Sequence, residues 1–310
     1  MIYTLTLNSA IEEVIYAEGD NPSNVKNIKR SCRYLTGKAV NTGLLLSNIC
    51  VHCNINVVCG ENVASMYEKL NNDYRTVNVI KVNGDTRKNQ TFVFENGEEF
   101  KIINKGYSLS PKDIDQVKCN FKKIMSKDDV LLIAGSLPEG ISAKWYAELI
   151  SEMNSIGVKV FFDAGKDVLN VGAESSPYYI KPNVEEVRDL IGDYERKDLP
   201  DYLIHLADKY SIENVVVSLG KDGVIAYNSM LKKCVEVFST EEFPEEIMTT
   251  GCGDSFNAGY LYGFVSGEDF IRSLIYGVAF GGANIFAGFP EKVTMPVIKE
   301  RLKYVSYKEL

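Results

Sequence analysis

The sequence predicts an α/β fold built on a mostly parallel sheet, and three observations carry that prediction. Short runs of Val, Ile, Leu and Phe alternate with stretches of helical period. These strand candidates are apolar at consecutive positions, as a sheet covered by helices on both faces requires. Residues 89–104 instead show the alternating pattern of a half-exposed hairpin.

In chain order, "YTLTL" reads as a strand, "NTGLLLSNI" as a helix, "INVVC" as a strand and "ENVASMYEKL" as a helix. The hairpin "NQTFVFENGEEFKIIN" turns at "ENGEE" and reads as part of a small β layer or lid outside the main sheet. The rhythm then sharpens: "VLLIA" (130–134), "AKWYAELISEMNS" (143–155), "VKVFFD" (158–163), "VEEVRDLIG" (184–192) and "NVVVSLG" (214–220). Such βαβ units place ligands at the carboxyl ends of the strands. The C-terminal "SFNAGYLYGFVSG" and "SLIYGVAFGGANIFAG" are helical in period but rich in Gly and Ala, so close packing is expected to offset the glycines' poor helix propensity. Neither an internal repeat nor a disordered linker is visible.

The 310 residues are 45% hydrophobic and 25% charged, ordinary for one large folded domain. Asp and Glu outnumber Lys and Arg by 42 to 34, and without a basic run nucleic acid is not an expected partner. The opening "MIYTLTLNSAIEEVIY" has no basic leader and no stretch approaches a membrane span, so the expected location is the cytoplasm, with no membrane partner. Seven scattered cysteines do not suggest a disulfide framework. "CVHC" (50–53) lacks the second pair that a structural zinc site needs, and His205 lies on a helical pattern.

The segment with the most chemistry is "TTGCGDSFNAG" (249–259). Gly251 and Gly253 leave backbone N–H groups open to a ligand, and a helix beginning near Asp254 adds unpaired N–H groups and a positive dipole end. Asp254 is then a carboxylate beside a phosphate site; the plain alternative is a helix cap after a glycine turn. The chain has no GxxxxGK[ST]. Its "TGCGDSF" also has Phe256 where a dinucleotide fingerprint needs its last glycine, which argues against a nicotinamide-dependent dehydrogenase.

"TLNSAIEEV", "TGKAVNTG" (36–43), "TR" (86–87), "AGSLPEG" (134–140), "KPNVEEV" (181–187), "VSLGKDG" (217–223) and the Asp254 segment follow one another in an order covering nearly the whole chain. Together they resemble the ribokinase-like PfkB carbohydrate kinases, particularly the branch of 1-phosphofructokinase and tagatose-6-phosphate kinase. The resemblance implies a three-layer α/β/α sandwich, a single domain over 1–310 with a discontinuous β lid near 11–34 and 84–104. It implies ATP and magnesium, with a monovalent cation as a further candidate, and a homodimer through the lid as one option. Asp254 becomes the base that takes the acceptor hydroxyl's proton, with Gly251, Cys252 and Gly253 forming the anion hole. Asn183 and Glu186 organise magnesium through water, and Lys181 lies near them. Ser218, Gly220 and Gly223 meet the nucleotide, and Asn284 approaches the adenine pocket.

On the acceptor side the resemblance assigns Asn8, Glu12, Gly37, Lys38, Asn41 and Arg87. Lys38 and Arg87 suit an acceptor that already carries a phosphate. The implied reaction is phosphoryl transfer from ATP to a ketohexose phosphate: fructose 1-phosphate first, then tagatose 6-phosphate or fructose 6-phosphate. A kinase of plain sugars or nucleosides and a non-catalytic sugar-phosphate-binding regulator are the alternatives. The departures cluster on this side: Ser9 stands for a proline, Glu12 for an aspartate, and Thr36 and Ala39 for two glycines.

Overall fold

Consecutive apolar residues make strands with no solvent face, and the first of them, β1 (Ile2–Thr6), is buried at every position. The computed structural model describes residues 1–25, 27–243 and 250–310. The chain continues through β2 (Ala10–Ala17), β3 (Ile28–Thr36), α1 (Lys38–Asn48), β4 (Cys53–Gly60), α2 (Glu61–Glu68), β5 (Arg75–Val82), β6 (Arg87–Val93) and β7 (Glu99–Ile102). Helix α3 (Pro111–Ile124), opened by proline and a Ser110–Asp113 capping box, leads into a regular alternation. That alternation is β8 (Val130–Ala134), α4 (Ala143–Ser155), β9 (Lys159–Asp163), α5 (Lys166–Ala173), β10 (Tyr179–Ile180), α6 (Val184–Ile191), α7 (Leu199–Tyr210) and β11 (Asn214–Ser218). The last third holds β12 (Val224–Asn228), β13 (Lys233–Ser239), α8 (Cys252–Val265), α9 (Phe270–Ala287), α10 (Met295–Leu302) and β14 (Val305–Glu309).

Among the described residues the strands form a ten-stranded sheet, β14-β13-β12-β11-β10-β9-β8-β1-β4-β5, and a four-stranded one, β3-β2-β6-β7. Neighbours from β5 to β11 are parallel. From β11 to β14 they are antiparallel. Strand side chains alternate between two cores, as the pleat requires. Leu131, Ile133, Val215 and Val217 join one with α3, α4 and α7, while Leu132, Val216 and the apolar residues of α1, α8 and α9 form the other. The result is a three-layer α/β/α sandwich of the ribokinase-like kind.

The small sheet is the lid. The sequence-read hairpin is β6 and β7, paired antiparallel, and β6 runs parallel to β2 with Ala10 beside Arg87, Glu12 beside Asn89 and Val14 beside Thr91. Lys26, inside the lid range, lies outside the described residues. The Tyr67 hydroxyl, fully buried, lies 3.2 Å from the Ala10 carbonyl and 3.0 Å from the Thr36 carbonyl, where β2 leaves the body and β3 returns to it. Farther out, Tyr34 stacks on Phe289 at 4.0 Å, and Lys101 reaches the Thr250 hydroxyl at 3.3 Å.

One expectation needs amendment, and one strand is new. Helix α9, with 18 residues and a mean hydropathy of 1.3, is long and apolar enough to cross a membrane, yet 56% of it is buried inside the protein. It packs on α8 so closely that a Cβ on Gly259 of α8 would lie 2.4 Å from the Tyr276 carbonyl oxygen and one on Gly277 of α9 would lie 2.7 Å from Phe256 Cε2, which is the reason for the small residues of both helices. Strand β14, mostly polar, carries no apolar pattern and is held by the edge of β13.

Candidate active site

Parallel strands end at the same side of a sheet, and here β1, β9, β10 and β11 bring Thr6, Asp163, Lys181 and Ser218 toward the loop that starts α8. That loop places Gly251 at φ 82°, in the left-handed region, as the N-cap of α8. A Cβ there would also lie 2.5 Å from Pro290 Cγ, so only glycine fits. The helix begins at Cys252, two residues before the sequence-read start, and its first ladder bond is Ser255 N to Gly251 O at 2.9 Å. The N–H groups of Gly251, Cys252, Gly253 and Asp254 therefore precede the ladder, at the dipole's positive end. Thr249, first residue of the motif, lies outside the described residues.

Asp254 is the third residue of α8 and is buried, 7% exposed. Asn41 Nδ2 donates to its Oδ2 at 2.7 Å, and the Thr42 hydroxyl donates to its backbone carbonyl at 2.9 Å. Burial pushes the carboxyl up to about 6, against the pull of Lys38 and the Asn41 amide.

Facing it is a residue that the sequence reading missed. Asp163, at the end of β9, is 2% exposed and sits 3.1 Å from Lys181 Nζ and 3.3 Å from Lys38 Nζ, and Asn257 Nδ2 donates to it at 2.6 Å. Burial works to raise this carboxyl, but the two ammonium groups and the amide outweigh it and hold it well below the usual carboxylate range. Lys38 in turn is held charged above the ordinary lysine range, chiefly by Asp163. Two buried aspartates in one cleft are thus driven apart, one permanently ionised and one near neutrality.

The nucleotide-side residues gather around a cavity of about 610 Å³, lined by Lys181, Asn183, Ser218, Gly220, Gly223, Cys252 and Gly253 among others. A Cβ on Gly253 would lie 3.5 Å from Lys181 Nζ, which places that ammonium beside the α8 N-terminus. Asn284 does not line the cavity; its own helix contributes Val278, Gly281, Gly282 and Ile285. One step around the helix, Asn284 Nδ2 donates to the Thr250 carbonyl at 3.0 Å and to Cys252 Sγ at 3.3 Å, so it steadies the glycine loop. Asn183 and Glu186 form a reciprocal cap of α6: Glu186 N donates to Asn183 Oδ1 at 2.9 Å, and Asn183 N to Glu186 Oε2 at 2.8 Å. Glu185 rather than Glu186 lines the cavity, while the charge of Glu186 acts on Lys38.

On the acceptor side, Asn8 Nδ2 donates to Ser136 Oγ and the Leu137 carbonyl, and Arg87 Nη2 donates to the Asn8 carbonyl at 3.1 Å. Arg87 Nε and Asn89 Oδ1 are buried and have no hydrogen-bond partner among the described residues, two residues apart on one face of β6. Glu12 shares that face and accepts from the Thr91 hydroxyl at 2.7 Å. Ser9 replaces proline productively: its N–H donates to Tyr107 Oη at 3.3 Å and its hydroxyl to the Val58 carbonyl at 2.7 Å. Gly37 caps α1, from which Lys38 and Asn41 project.

Over residues 5–288 the chain matches the family described as pfkB family carbohydrate kinase. It is 29% identical over 266 residues to 1-phosphofructokinase of Vibrio cholerae, covering 84% of this chain and 82% of that protein. It is 26% identical over 282 residues to 1-phosphofructokinase of Haemophilus influenzae, covering 90% and 88%. Its fold resembles Escherichia coli phosphofructokinase-2 in complex with fructose-6-phosphate, with a TM-score of 0.87 at 20% identity over 97% of this chain and 98% of that one. Because the match runs from the end of β1 past the end of α9, taking in the lid and the Asp254 loop together, the chain belongs to the pfkB family of carbohydrate kinases, phosphotransferases with an alcohol acceptor.

Proposed function

We propose that the chain transfers the γ-phosphate of ATP to a hydroxyl of a ketohexose phosphate, fructose 1-phosphate foremost, with Asp254 as general base. The observation that carries this reading is a buried carboxylate beside three open N–H groups, with a second, ammonium-paired carboxylate beneath it. Asp254 accepts the proton of the attacking hydroxyl, and the N–H groups of Gly251, Cys252 and Gly253 hold the charge of the transferring phosphoryl. The volume of the cavity lined by Ser218, Gly220 and Gly223 suits a nucleotide. The acceptor assignment is supported by the names of the two relatives and by Lys38 and Arg87 at the lid's mouth. Asn89, with its buried carbonyl oxygen, joins the predicted acceptor residues Asn8, Glu12 and Asn41.

The donor set fits magnesium. Glu186 Oε1 takes no hydrogen bond among the described residues, and one hard carboxylate oxygen completed by water and substrate phosphates is how magnesium is commonly held. When bound, the ion would neutralise phosphate charge, with Glu186 and, through water, Asn183 holding it. A monovalent cation is kept as a second candidate, read by activity in potassium against sodium salts. A homodimer through the lid is supported by exposed Ile28, Phe100 and Ile103 on it. A cytoplasmic location agrees with seven unpaired cysteines.

Two outcomes test this reading. The raised carboxyl means that the base is protonated, hence inactive, below its pKa, so kcat/KM rises with pH through about 6 and then levels. A profile flat from pH 5 to 8 contradicts it. Arg87→Ala raises KM for phosphorylated acceptors by roughly ten- to hundredfold, the loss of one charge-assisted hydrogen bond, and leaves plain sugars unaffected, whereas Lys38→Ala, which also removes a charge beside Asp163 and Asp254, slows every acceptor. Equal losses on fructose and fructose 1-phosphate in Arg87→Ala contradict the phosphate assignment.

A further inference from the structure

The structure assigns Thr36 a positioning role in the phosphoryl transfer: its hydroxyl fixes the Asn41 carboxamide with Nδ2 turned to Asp254, which ties the base of the lid to the catalytic carboxylate. The assignment rests on Asp254 being the base. Thr36 Oγ donates to Asn41 Oδ1 at 2.9 Å, and Asn41 Nδ2 donates to Asp254 Oδ2 at 2.7 Å. A carboxamide has one donor end and one acceptor end of nearly the same shape. The ionised carboxylate accepts only the donor end, so Oδ1 faces Thr36, where only a donor satisfies it. Asn41 is 5% exposed, and without that donor its oxygen would be left buried and unpaired. Donation to Oδ1 also polarises the amide and strengthens its N–H bond to the base.

Thr36 is the last residue of β3, paired with Ala10 of β2, and its carbonyl lies 3.0 Å from the Tyr67 hydroxyl. A shift of the lid at this point therefore carries the Thr36 hydroxyl with it, and with the hydroxyl the amide that faces Asp254. The glycine expected at this position has no hydroxyl, so the contact belongs to this chain's own residue.

The charged and titratable groups around Asp254 are Lys38 of α1, Asp163 at the end of β9, Lys181 after β10 and Cys252 in α8 itself, while Glu186 of α6 acts on Lys38. Changing Thr36 removes none of these charges. Its effect passes through the Asn41 hydrogen bond, which favours the ionised base.

The test is the pH dependence of kcat/KM for Thr36→Val and Thr36→Ser on the phosphorylated acceptor that the unaltered enzyme turns over best. Thr36→Val is expected to move the acid limb up by about half to one pH unit, a roughly three- to tenfold loss below the limb, with KM for ATP unchanged. Thr36→Ser is expected to restore the original limb. A loss in Thr36→Val that is equal at every pH, or a limb that Ser does not restore, overturns the proposal. Asp254→Asn separates the two claims: if it still turns over, the base reading falls, whereas if it is inactive and the Val limb is unmoved, only the Thr36 proposal falls.

Discussion

Asp254→Asn lowers kcat by roughly 10²–10⁴-fold, the range for loss of a general base, while ATP and acceptor still bind. The amide keeps the shape of the carboxylate, and its oxygen can still accept from Asn41 Nδ2, so the loop and α8 N-terminus remain in place. What it cannot do is take a proton. Folding offers an independent check on the same substitution. The folded-state pKa of about 6 lies above the unfolded value, so folding takes up a proton between roughly pH 4 and 6, and the ionised group at pH 7 costs stability. That cost is at most about 3 kcal/mol, and asparagine removes it. The variant is therefore expected to be nearly inactive yet no less resistant to urea at pH 7. Turnover that is unchanged, measured as ADP release, would show that another group takes the proton.

Asp163→Ala has the opposite signature. Its two oxygens hold Lys181, 6% exposed at the side chain, along with Lys38 and Asn257. Removing the carboxylate leaves the Lys181 ammonium buried without its counter-ion, a loss of about 3–5 kcal/mol for a broken buried pair. Linkage gives the same sign. The folded-state pKa is depressed, so the stabilisation is present above the unfolded carboxylate value and is lost as pH falls through the folded one. Urea midpoints at pH 7 are expected to fall sharply for Asp163→Ala and to hold for Asp254→Asn. Equal midpoints for the two variants would contradict the division of roles between the paired aspartate and the unpaired one.

The alternation of β8 to β11 with helices was legible because a strand covered on both faces must be apolar at each position, and the hairpin of β6 and β7 because one face of it is wet. Strand β14 was not, since its pairing with β13 supplies what its own polar residues do not. Helix α8 was legible from glycines before an aspartate; its start was two residues early because Gly251, with its left-handed backbone, is itself the cap. Asp163 escaped because it ends an apolar strand and draws its meaning from Lys38, Lys181 and Asn257, distant in sequence. An acidic residue at the carboxyl end of a buried parallel strand was the available signal. The contact of Asn284 with the glycine loop was not legible either, because one step of helical rotation decides that Ile285 turns to the cavity and Asn284 to the loop.

The central claim is tested most directly by ADP release from ATP and magnesium by the purified protein, with fructose 1-phosphate against fructose as the acceptor. The account predicts ADP formation that depends on fructose 1-phosphate, with a bisphosphate product, and little with fructose. No ADP with fructose 1-phosphate, tagatose 6-phosphate or fructose 6-phosphate, from protein that still binds ATP, would contradict it.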